Sequence, residues 1–275
     1  MLRTKGRGLV GFVVLATWVG MFAPTLSADD PEARAIMERV DARDDGDNET
    51  ADVKMILIDK KDQERVRKIA RFAKYKGEDK YRLMFFLHPA DVKDTAFLTY
   101  DYDSSEKDDD QWLYLPALRK SKRIATVDKS GSFMGSDLNY SDMTSMDLED
   151  YDFSFYEKGK EGEVRDKKVW VIWSVPRSKD VIHETGYEKS LLFVQQDIDM
   201  VVRAIRWDKD GGYLKYVDLR KIEKIDGIWV ATDTLVTKKQ GKTTVHSTIL
   251  TLENVKYNQD LDYDIFTIRR MEKGR

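Results

Sequence analysis

The sequence predicts a mainly β (α+β) protein built around a single antiparallel sheet. Short segments rich in β-branched and aromatic residues recur along the chain and end at Pro, Gly or runs of charge, as successive antiparallel strands do. The Gly-containing connections at residues 210–212, 226–227 and 240–241 are typical of hairpin turns. No helical run is long enough for a β-α-β unit, so a parallel sheet is not expected.

Residues 1–28 have the pattern of a cleaved signal peptide. Three basic residues precede an apolar core at residues 8–23, and the small residues that follow allow cleavage after Ser27 or Ala28. A membrane anchor is the alternative, but the apolar run is shorter than the roughly 20 residues that a span needs. We therefore expect an exported protein whose single domain covers residues 29–275.

The composition indicates an acidic protein without disulfides. The sequence has 50 acidic and 47 basic residues and no cysteine. Removal of 28 residues from 275 leaves 247, which is long enough to bury a core without disulfides. The excess of acid gives no support to nucleic-acid binding, so no nucleic-acid partner is expected.

The first element of the exported chain is predicted to be a helix. The tetrapeptide Asp29-Asp30-Pro31-Glu32 supplies an Asp N-cap, a Pro in the first turn and an acid near the positive helix end. Ile36, Met37 and Val40 then recur on one side at helical spacing, so this side is expected to face the core.

Strands are predicted to dominate the chain from residue 50 onward. The strand at residues 81–87 is apolar on both faces toward its end, so neither face is expected to be simply solvated. A short helical stretch is expected around residues 139–143, with Asp137 as its N-cap. Strands of the first half are expected at residues 53–58, 64–76, 81–87, 95–100, 112–115, 118–126 and 153–156. A β-meander is expected at residues 169–175, 190–194, 200–207, 213–219, 228–236 and 243–252, before residues 264–268 close the chain.

The sequence contains no recognisable catalytic or metal-binding motif. There is no Cys nucleophile, and residues 131–135 (GSFMG) do not place their Ser as a nucleophile elbow does. His88, His183 and His246 are isolated, and the acidic residues 101–110 lack the spacing of a calcium loop. No catalytic residue, metal or cofactor is predicted. An enzyme would require a polar cleft that brings a histidine together with carboxylates.

Many large apolar side chains lie on predicted strands. Most are expected to form the core of a β domain. A sharper hypothesis is that one sheet face curves around a cavity for an acyl chain. Each buried methylene contributes about 0.8 kcal/mol, so a sixteen-carbon chain would gain on the order of 12 kcal/mol before ordering costs. The residues expected to line this cavity are Phe85, Phe97, Trp112, Tyr114, Phe133, Met134, Trp170, Trp207 and Trp229.

A basic cluster stands out in this acidic chain. It consists of Arg119, Lys120, Lys122 and Arg123, directly after an aromatic-rich strand. One interpretation is a solvated edge strand that its charge protects from aggregation. The other is contact with an acidic partner or with anionic headgroups, where each residue would add roughly 1 kcal/mol. The sequence leaves both interpretations open.

The most specific sequence pattern lies in the middle third of the chain. Residues 86–95 (FLHPADVKDT), 111–120 (QWLYLPALRK) and 132–140 (SFMGSDLNY) resemble the outer-membrane lipoprotein-sorting protein family, the LolA/LolB-like periplasmic carriers. The resemblance is closest to the branch found beside exporters of the resistance-nodulation-division type. One departure is Asp94, where the family pattern usually has Gly before Thr95, so the turn there is expected to be built differently.

The resemblance implies a sheet curled into an incomplete barrel, with short helices plugging its concave side. A lipid or the acyl chain of a lipoprotein would lie between sheet and helices. The N-terminal helix and the segment around Tyr140 and Met143 would form the plug, unless both only cap the core. The implied partners are a resistance-nodulation-division exporter or an outer-membrane acceptor, and the implied location is the periplasm. The alternative function is an accessory subunit of a membrane exporter that binds no lipid.

Overall fold

The structure, a computed structural model, describes residues 29–274. The predicted signal peptide lies outside these residues. The strands are β1 (Asn48–Asp59), β2 (Glu64–Lys76), β3 (Asp79–His88), β4 (Ala96–Asp101), β5 (Asp110–Leu115), β6 (Lys120–Arg123), β7 (Tyr151–Phe155), β8 (Glu161–Val164), β9 (Lys167–Pro176), β10 (Tyr187–Gln195), β11 (Met200–Asp208), β12 (Leu214–Ile225), β13 (Ile228–Gln240) and β14 (Thr243–Tyr257). The helices are α1 (Pro31–Asp41), α2 (Lys179–Thr185) and α3 (Ile268–Lys273).

All fourteen strands belong to one antiparallel sheet that is not closed into a barrel, which confirms the predicted fold class. The strand order is β6-β5-β4-β3-β2-β1-β14-β13-β12-β11-β10-β9-β7, and β8 pairs with β9. Strand β1 pairs with β2 on one side and with the late strand β14 on the other, where Leu57 lies opposite Thr248. The first and last strands of the chain therefore join in the middle of the sheet.

The chain between β6 and β7 crosses from one edge of the sheet to the other. These two strands are consecutive in sequence but occupy opposite ends of the strand order. Residues 124–150, which we call the crossover segment, connect the two edges across the inner face of the curled sheet, where Phe133 packs with Met55, Ile69 and Phe86. The segment does so in short 3-10 turns, at Thr126–Asp128, Phe133–Gly135, Tyr140–Met143 and Leu148–Asp150.

Helix α1 covers the other end of the inner face. The predicted Asp N-cap is Asp30, whose Oδ1 accepts a hydrogen bond from the backbone N–H of Glu32 at 2.9 Å. Ile36 and Met37 are buried against strands β7, β9, β10 and β11, and Val40 packs beside them. Each such buried side chain contributes about 1.5–3 kcal/mol, which fixes the short helix to the sheet.

Strand β3 has both of its faces covered, as its apolar sequence predicted. Phe86 points inward and packs on Phe133 of the crossover segment. Phe85 points outward into a second cluster that contains the fully buried Met271 of α3. Helix α3 therefore adds a layer to the outer face of the sheet, while α1 and the crossover segment occupy the inner face.

Some local predictions were wrong or incomplete. Strand β6 is limited to Lys120–Arg123, shorter than the predicted residues 118–126, because Arg119 adopts a left-handed conformation (φ 48°) in the preceding turn. Strand β8 and helix α2 were not predicted. Helix α2 has seven residues and buries only Val181, so it carries too little hydrophobic periodicity to be recognised.

The turn at Asp94 has a left-handed backbone conformation. Asp94 has φ 63°, and its backbone N–H donates to the carbonyl oxygen of Phe86 at 2.9 Å. Glycine enters this left-handed region without steric cost, and aspartate is among the few other residues that tolerate it. A difference between this turn and that of the family stays a prediction.

Candidate functional site

An apolar cavity of about 290 Å³ lies between the inner face of the sheet and the crossover segment. Its floor follows from strand pairing, because residues opposite each other on neighbouring strands point to the same face. Met55 faces Leu250 in this way, and Val53 faces Leu252. The lining consists of Val53, Met55, Ile69, Met84, Phe133, Leu138, Met143, Leu250 and Leu252, together with the polar residues Arg71, Arg82, Asp142 and Thr144.

The first anchor of the crossover segment is aromatic. The ring of Phe133 lies 5.0 Å from that of Phe97 and 5.6 Å from that of Tyr140, measured between centroids. Gln111 is fully buried and its Nε2 donates to the carbonyl oxygen of Tyr140 at 2.9 Å. Phe133 therefore forms both part of the cavity wall and part of the packed core beside it.

The second anchor joins Asp137 to strand β14. Oδ2 of Asp137 lies 2.7 Å from Nδ1 of His246, and it accepts a hydrogen bond from Oγ1 of Thr248, also at 2.7 Å. The prediction that Asp137 caps the helical stretch was wrong. Asn139 is the N-cap, and Asp142 completes its capping box. The sequence alone could not distinguish these roles, because the partners of Asp137 are more than 100 residues away.

The third anchor is a buried charge network around Asp142. The side chain of Asp142 is only 6% exposed and forms an ion pair with Arg206 of β11. The hydroxyl group of Tyr187 donates to Oδ2 of Asp142 at 2.7 Å, and Nζ of Lys215 donates to the Tyr187 oxygen at 2.6 Å. One carboxylate of the crossover segment thus connects three strands of the inner face.

The pKa values in this network follow from burial and charge. Burial acts to raise the pKa of Asp142, but the Arg206 guanidinium and the Lys215 ammonium outweigh it and hold the pKa below its ordinary value. Burial lowers the pKa of Lys215 to about 8, although Asp142 opposes this shift. Asp142 therefore supplies the negative charge that stabilises the buried cations of Arg206 and Lys215.

Helix α2 supports the crossover segment from the side. The carbonyl oxygen of Thr185 accepts hydrogen bonds from Nδ2 of Asn139 at 2.8 Å and from Oγ of Ser141 at 3.1 Å. The buried Lys129 pairs with Glu184 at 2.5 Å. The sequence offered no signal for this support, because polar side chains in a seven-residue helix do not reveal their partners.

A polar cleft of about 430 Å³ adjoins the apolar cavity, and Asp142 and Thr144 line both. Its walls are rich in carboxylates from the hairpin between β4 and β5 and from the crossover segment. Burial, reinforced by the charge of Asp101, raises the pKa of Asp109 to about 6. No histidine occurs among the described residues that line the cleft. Within residues 29–274, no group of His, Cys, Asp or Glu side chains is arranged to hold a metal ion.

Three of the nine residues predicted to line a cavity lie near it. Phe133 is part of the wall, Phe97 packs directly behind Phe133, and Met134 packs against the same core cluster. A fourth residue, Trp170, lies in the cluster under α1. Their role in ligand binding stays a prediction.

The other five predicted residues lie away from the cavity. Phe85, Trp112 and Tyr114 belong to the outer cluster beneath α3. Trp207 packs on another aromatic ring in a separate cluster, and Trp229 is 36% exposed. Because successive strand residues alternate between faces, aromatic content alone could not show which rings point inward.

The aliphatic and methionine residues of the cavity were missed by the search for aromatic residues. Met55, Leu250 and Leu252 lie on strands β1 and β14, which meet only because the sheet joins distant parts of the chain. The available signal was the alternation of Val53, Met55 and Leu57 in the sequence. This alternation identified a buried strand face, but it did not show that a cavity lies above that face.

The basic cluster lies at one edge of the sheet. Arg119, Lys120, Lys122 and Arg123 are all exposed, and β6 is the terminal strand. Arg123 pairs with Asp110. Nζ of Lys122 lies 3.9 Å from Oδ2 of Asp128 in the crossover segment. This placement agrees with the edge-strand interpretation and leaves contact with headgroups or a partner as a prediction.

Comparison with solved structures identifies proteins of the same architecture. A DUF1329 family protein from Desulfovibrio piger is 27% identical, with a TM-score of 0.79 over 89% of this chain and 100% of that chain. An outer membrane lipoprotein-sorting protein domain from Vibrio parahaemolyticus is 28% identical, with a TM-score of 0.78 over 88% of this chain and 98% of that chain. A LolA superfamily protein from Nitrosomonas europaea shares the fold at 18% identity, with a TM-score of 0.65 over 86% of this chain and 98% of that chain.

The remaining comparisons concern sequence. No curated protein matches the chain significantly. No helix within residues 29–274 combines the length and apolar character needed to cross a membrane. A family model described as "Uncharacterized protein" matches residues 78–273, about seven tenths of the chain. The chain therefore belongs to this DUF1329-like family, whose structural neighbours are outer-membrane lipoprotein-sorting and LolA superfamily proteins.

Proposed function

We propose that this protein is a non-catalytic periplasmic carrier that binds the apolar part of a lipid or lipoprotein and transfers it between membrane components. The observation that carries the proposal is the apolar cavity of about 290 Å³ between the inner face and the crossover segment. The signal-peptide pattern of residues 1–28 and the lipoprotein-sorting neighbour support export and transport. The expected exchange partners are a resistance-nodulation-division exporter and an outer-membrane acceptor.

The chemistry of the cavity favours a hydrocarbon chain. Nine of its thirteen lining residues are apolar. Water gains few hydrogen bonds against such a surface, whereas each methylene that enters it gains about 0.8 kcal/mol. An acyl chain therefore binds without the set of directed polar contacts that a sugar or a nucleotide requires.

The size of the cavity indicates how a longer chain is accommodated. A volume of about 290 Å³ is near the lower end of ligand pockets, which span roughly 300–1,000 Å³. Met55, Met84 and Met143 lie in its wall. Methionine side chains are unbranched and flexible, so they can repack around ligands of different length. We expect the cavity to expand by movement of these side chains as a chain enters.

A pair of neighbouring substitutions tests the proposal. Leu250 lines the cavity, while Ile249, the preceding residue on β14, points to the opposite face. Leu250→Trp fills the cavity, and Ile249→Trp adds the same ring outside it. Titration with the fluorescent fatty acid cis-parinaric acid should show at least tenfold weaker binding by Leu250→Trp and unchanged binding by Ile249→Trp.

Two results would count against a carrier. The first is failure of the unsubstituted protein to bind the fatty acid, together with no co-purifying lipid in mass spectrometry of gently extracted protein. The second is equal binding by both Trp variants, which would place any fatty acid outside the cavity. Near-ultraviolet circular dichroism shows whether each variant retains the native packing.

A further inference from the structure

The edge strand β6 and helix α3 form one continuous surface. Oγ of Ser121 on β6 donates to Oε1 of Glu272 on α3 at 2.7 Å. Met271 fixes the helix by its fully buried side chain, so the helix surface that faces away from the sheet is held beside the strand. The two elements are about 150 residues apart in sequence, and only the fold brings them together.

This surface is basic, although the protein carries a net charge of −3. Lys120 and Lys122 project from β6, and Arg269 and Lys273 are exposed on α3. Within the described part of the chain, neither Lys120 nor Lys273 has an ion-pair partner, and that of Lys122 is distant at 3.9 Å. The positive charge is therefore available to an external partner.

Exposed aliphatic side chains occur in the same two segments of the chain as these charges. Leu118 precedes β6 and is 63% exposed, and Val127 follows it and is 77% exposed. Ile268, at the start of α3, is 37% exposed. Three of the five large hydrophobic side chains that are exposed in residues 29–274 thus lie within a few residues of β6 or on α3.

We propose that this surface, formed by residues 118–127 and 268–273, docks the protein onto an anionic lipid bilayer. Lysine side chains attract acidic headgroups, and aliphatic side chains at turn tips can insert between them. The long lysine side chains can also lie along apolar material while their ammonium groups stay in water. The charge complementarity and the aliphatic tips favour a lipid surface. This inference goes beyond the carrier function, because it concerns residues outside the cavity.

Vesicle co-sedimentation tests the docking surface with pure lipids. The probes are vesicles of equal parts phosphatidylglycerol and phosphatidylcholine, compared with vesicles of phosphatidylcholine alone. The unsubstituted protein should bind the anionic vesicles at least tenfold more tightly. Raising the salt concentration from about 0.05 M to about 0.5 M should remove most of this binding, because counterions screen exposed charges.

Two variants separate the contributions of charge and apolar contact. Combined Lys120→Glu, Lys122→Glu and Lys273→Glu should weaken binding to anionic vesicles at least tenfold. Combined Leu118→Ser and Val127→Ser should weaken it several-fold while keeping every charge. Binding of cis-parinaric acid should be unchanged in both, because none of the five residues lines the cavity. That readout also confirms that the variants fold.

The matched control reverses three exposed lysines elsewhere, by Lys60→Glu, Lys61→Glu and Lys242→Glu in the turns beside β1 and β14. This control alters the net charge by the same amount as the combined substitution of Lys120, Lys122 and Lys273. It should bind anionic vesicles much more tightly than that variant. Equal loss in both variants would overturn the proposal, because net charge alone would then explain the binding. Binding only to membranes that contain protein would also overturn it and would indicate a protein partner.

Discussion

Asp142 and Arg206 are 64 residues apart in sequence and form an ion pair that ties the crossover segment to strand β11. Tyr187 and Lys215 join the same carboxylate from two further strands. Because Asp142 also lies in the wall of the apolar cavity, the charge network and the candidate ligand site share one structural element. This polar anchor is therefore one of the three attachments that hold the crossover segment above the cavity.

Removal of the charge on Asp142 should strongly destabilise the protein. Asp142→Asn leaves Arg206 and Lys215 buried without a counter-charge, which costs about 3–5 kcal/mol for a buried pair. Urea unfolding followed by circular dichroism measures the change. Asp210→Asn, the same substitution at an exposed turn residue, should shift the free energy of unfolding by less than about 0.5 kcal/mol. An unchanged midpoint for Asp142→Asn would show that the network does not stabilise the fold.

The aromatic anchor should be equally sensitive to truncation. Phe133→Ala removes a fully buried ring that contacts Phe86, Phe97 and Tyr140. Loss of such a ring costs about 3–5 kcal/mol, because the neighbours relax only partly into the space. Phe133→Leu retains much of the volume and should cost less than half as much in the same unfolding experiment. Similar losses for both variants would argue against a packing role.

The contact between the crossover segment and α2 depends on a glycine. Gly186 has φ 82°, and a Cβ added there would lie 2.9 Å from Nδ2 of Asn139 and 3.0 Å from Cβ of Ser130. Gly211 also has a positive φ, 69°, but open space around it. Gly211→Ala should cost about 1–2 kcal/mol from backbone strain. Gly186→Ala should cost measurably more in thermal unfolding, and an equal cost would show that the close approach to Asn139 is tolerated.

The stability of the acidic cleft should depend on pH through Asp109. Its carboxyl group has a pKa of about 6 in the folded protein, against 3.8 as the ordinary value. Between these values the folded state binds more protons than the unfolded state, so the free energy of unfolding falls as the pH rises from about 4 to 6. Above pH 6 the full penalty of the buried charge is present.

Asp109→Asn removes this penalty. The variant and the unsubstituted protein should have the same free energy of unfolding near pH 4, and the variant should be more stable by about 1–2 kcal/mol at pH 8. This gain is smaller than the pKa shift alone implies, because the cleft is partly open to solvent. Urea unfolding at pH 4, 6 and 8 gives the comparison. A difference that is constant across this range would exclude titration of Asp109 as its source.

Several features of the fold were accessible from sequence because their causes are local. The limits of β2 at residues 64–76 and an Asp N-cap for α1, which is Asp30 in the structure, were predicted correctly. Both depend on residues adjacent in the chain: turn formers at the strand ends and a carboxylate beside free N–H groups. The resemblance in the middle third likewise indicated the half-barrel, since it follows from motifs that lie in short segments.

The sequence by itself determined that this protein is a cysteine-free chain of antiparallel strands with a basic segment after residue 118. Only the tertiary structure decided that Phe86 packs on Phe133 of the crossover segment while Phe85 points away, that Asn139 rather than Asp137 caps the helical stretch, and that α3 adjoins β6. The physical reason is that strand faces alternate every residue, whereas a cavity depends on how side chains from distant strands fill the space between them.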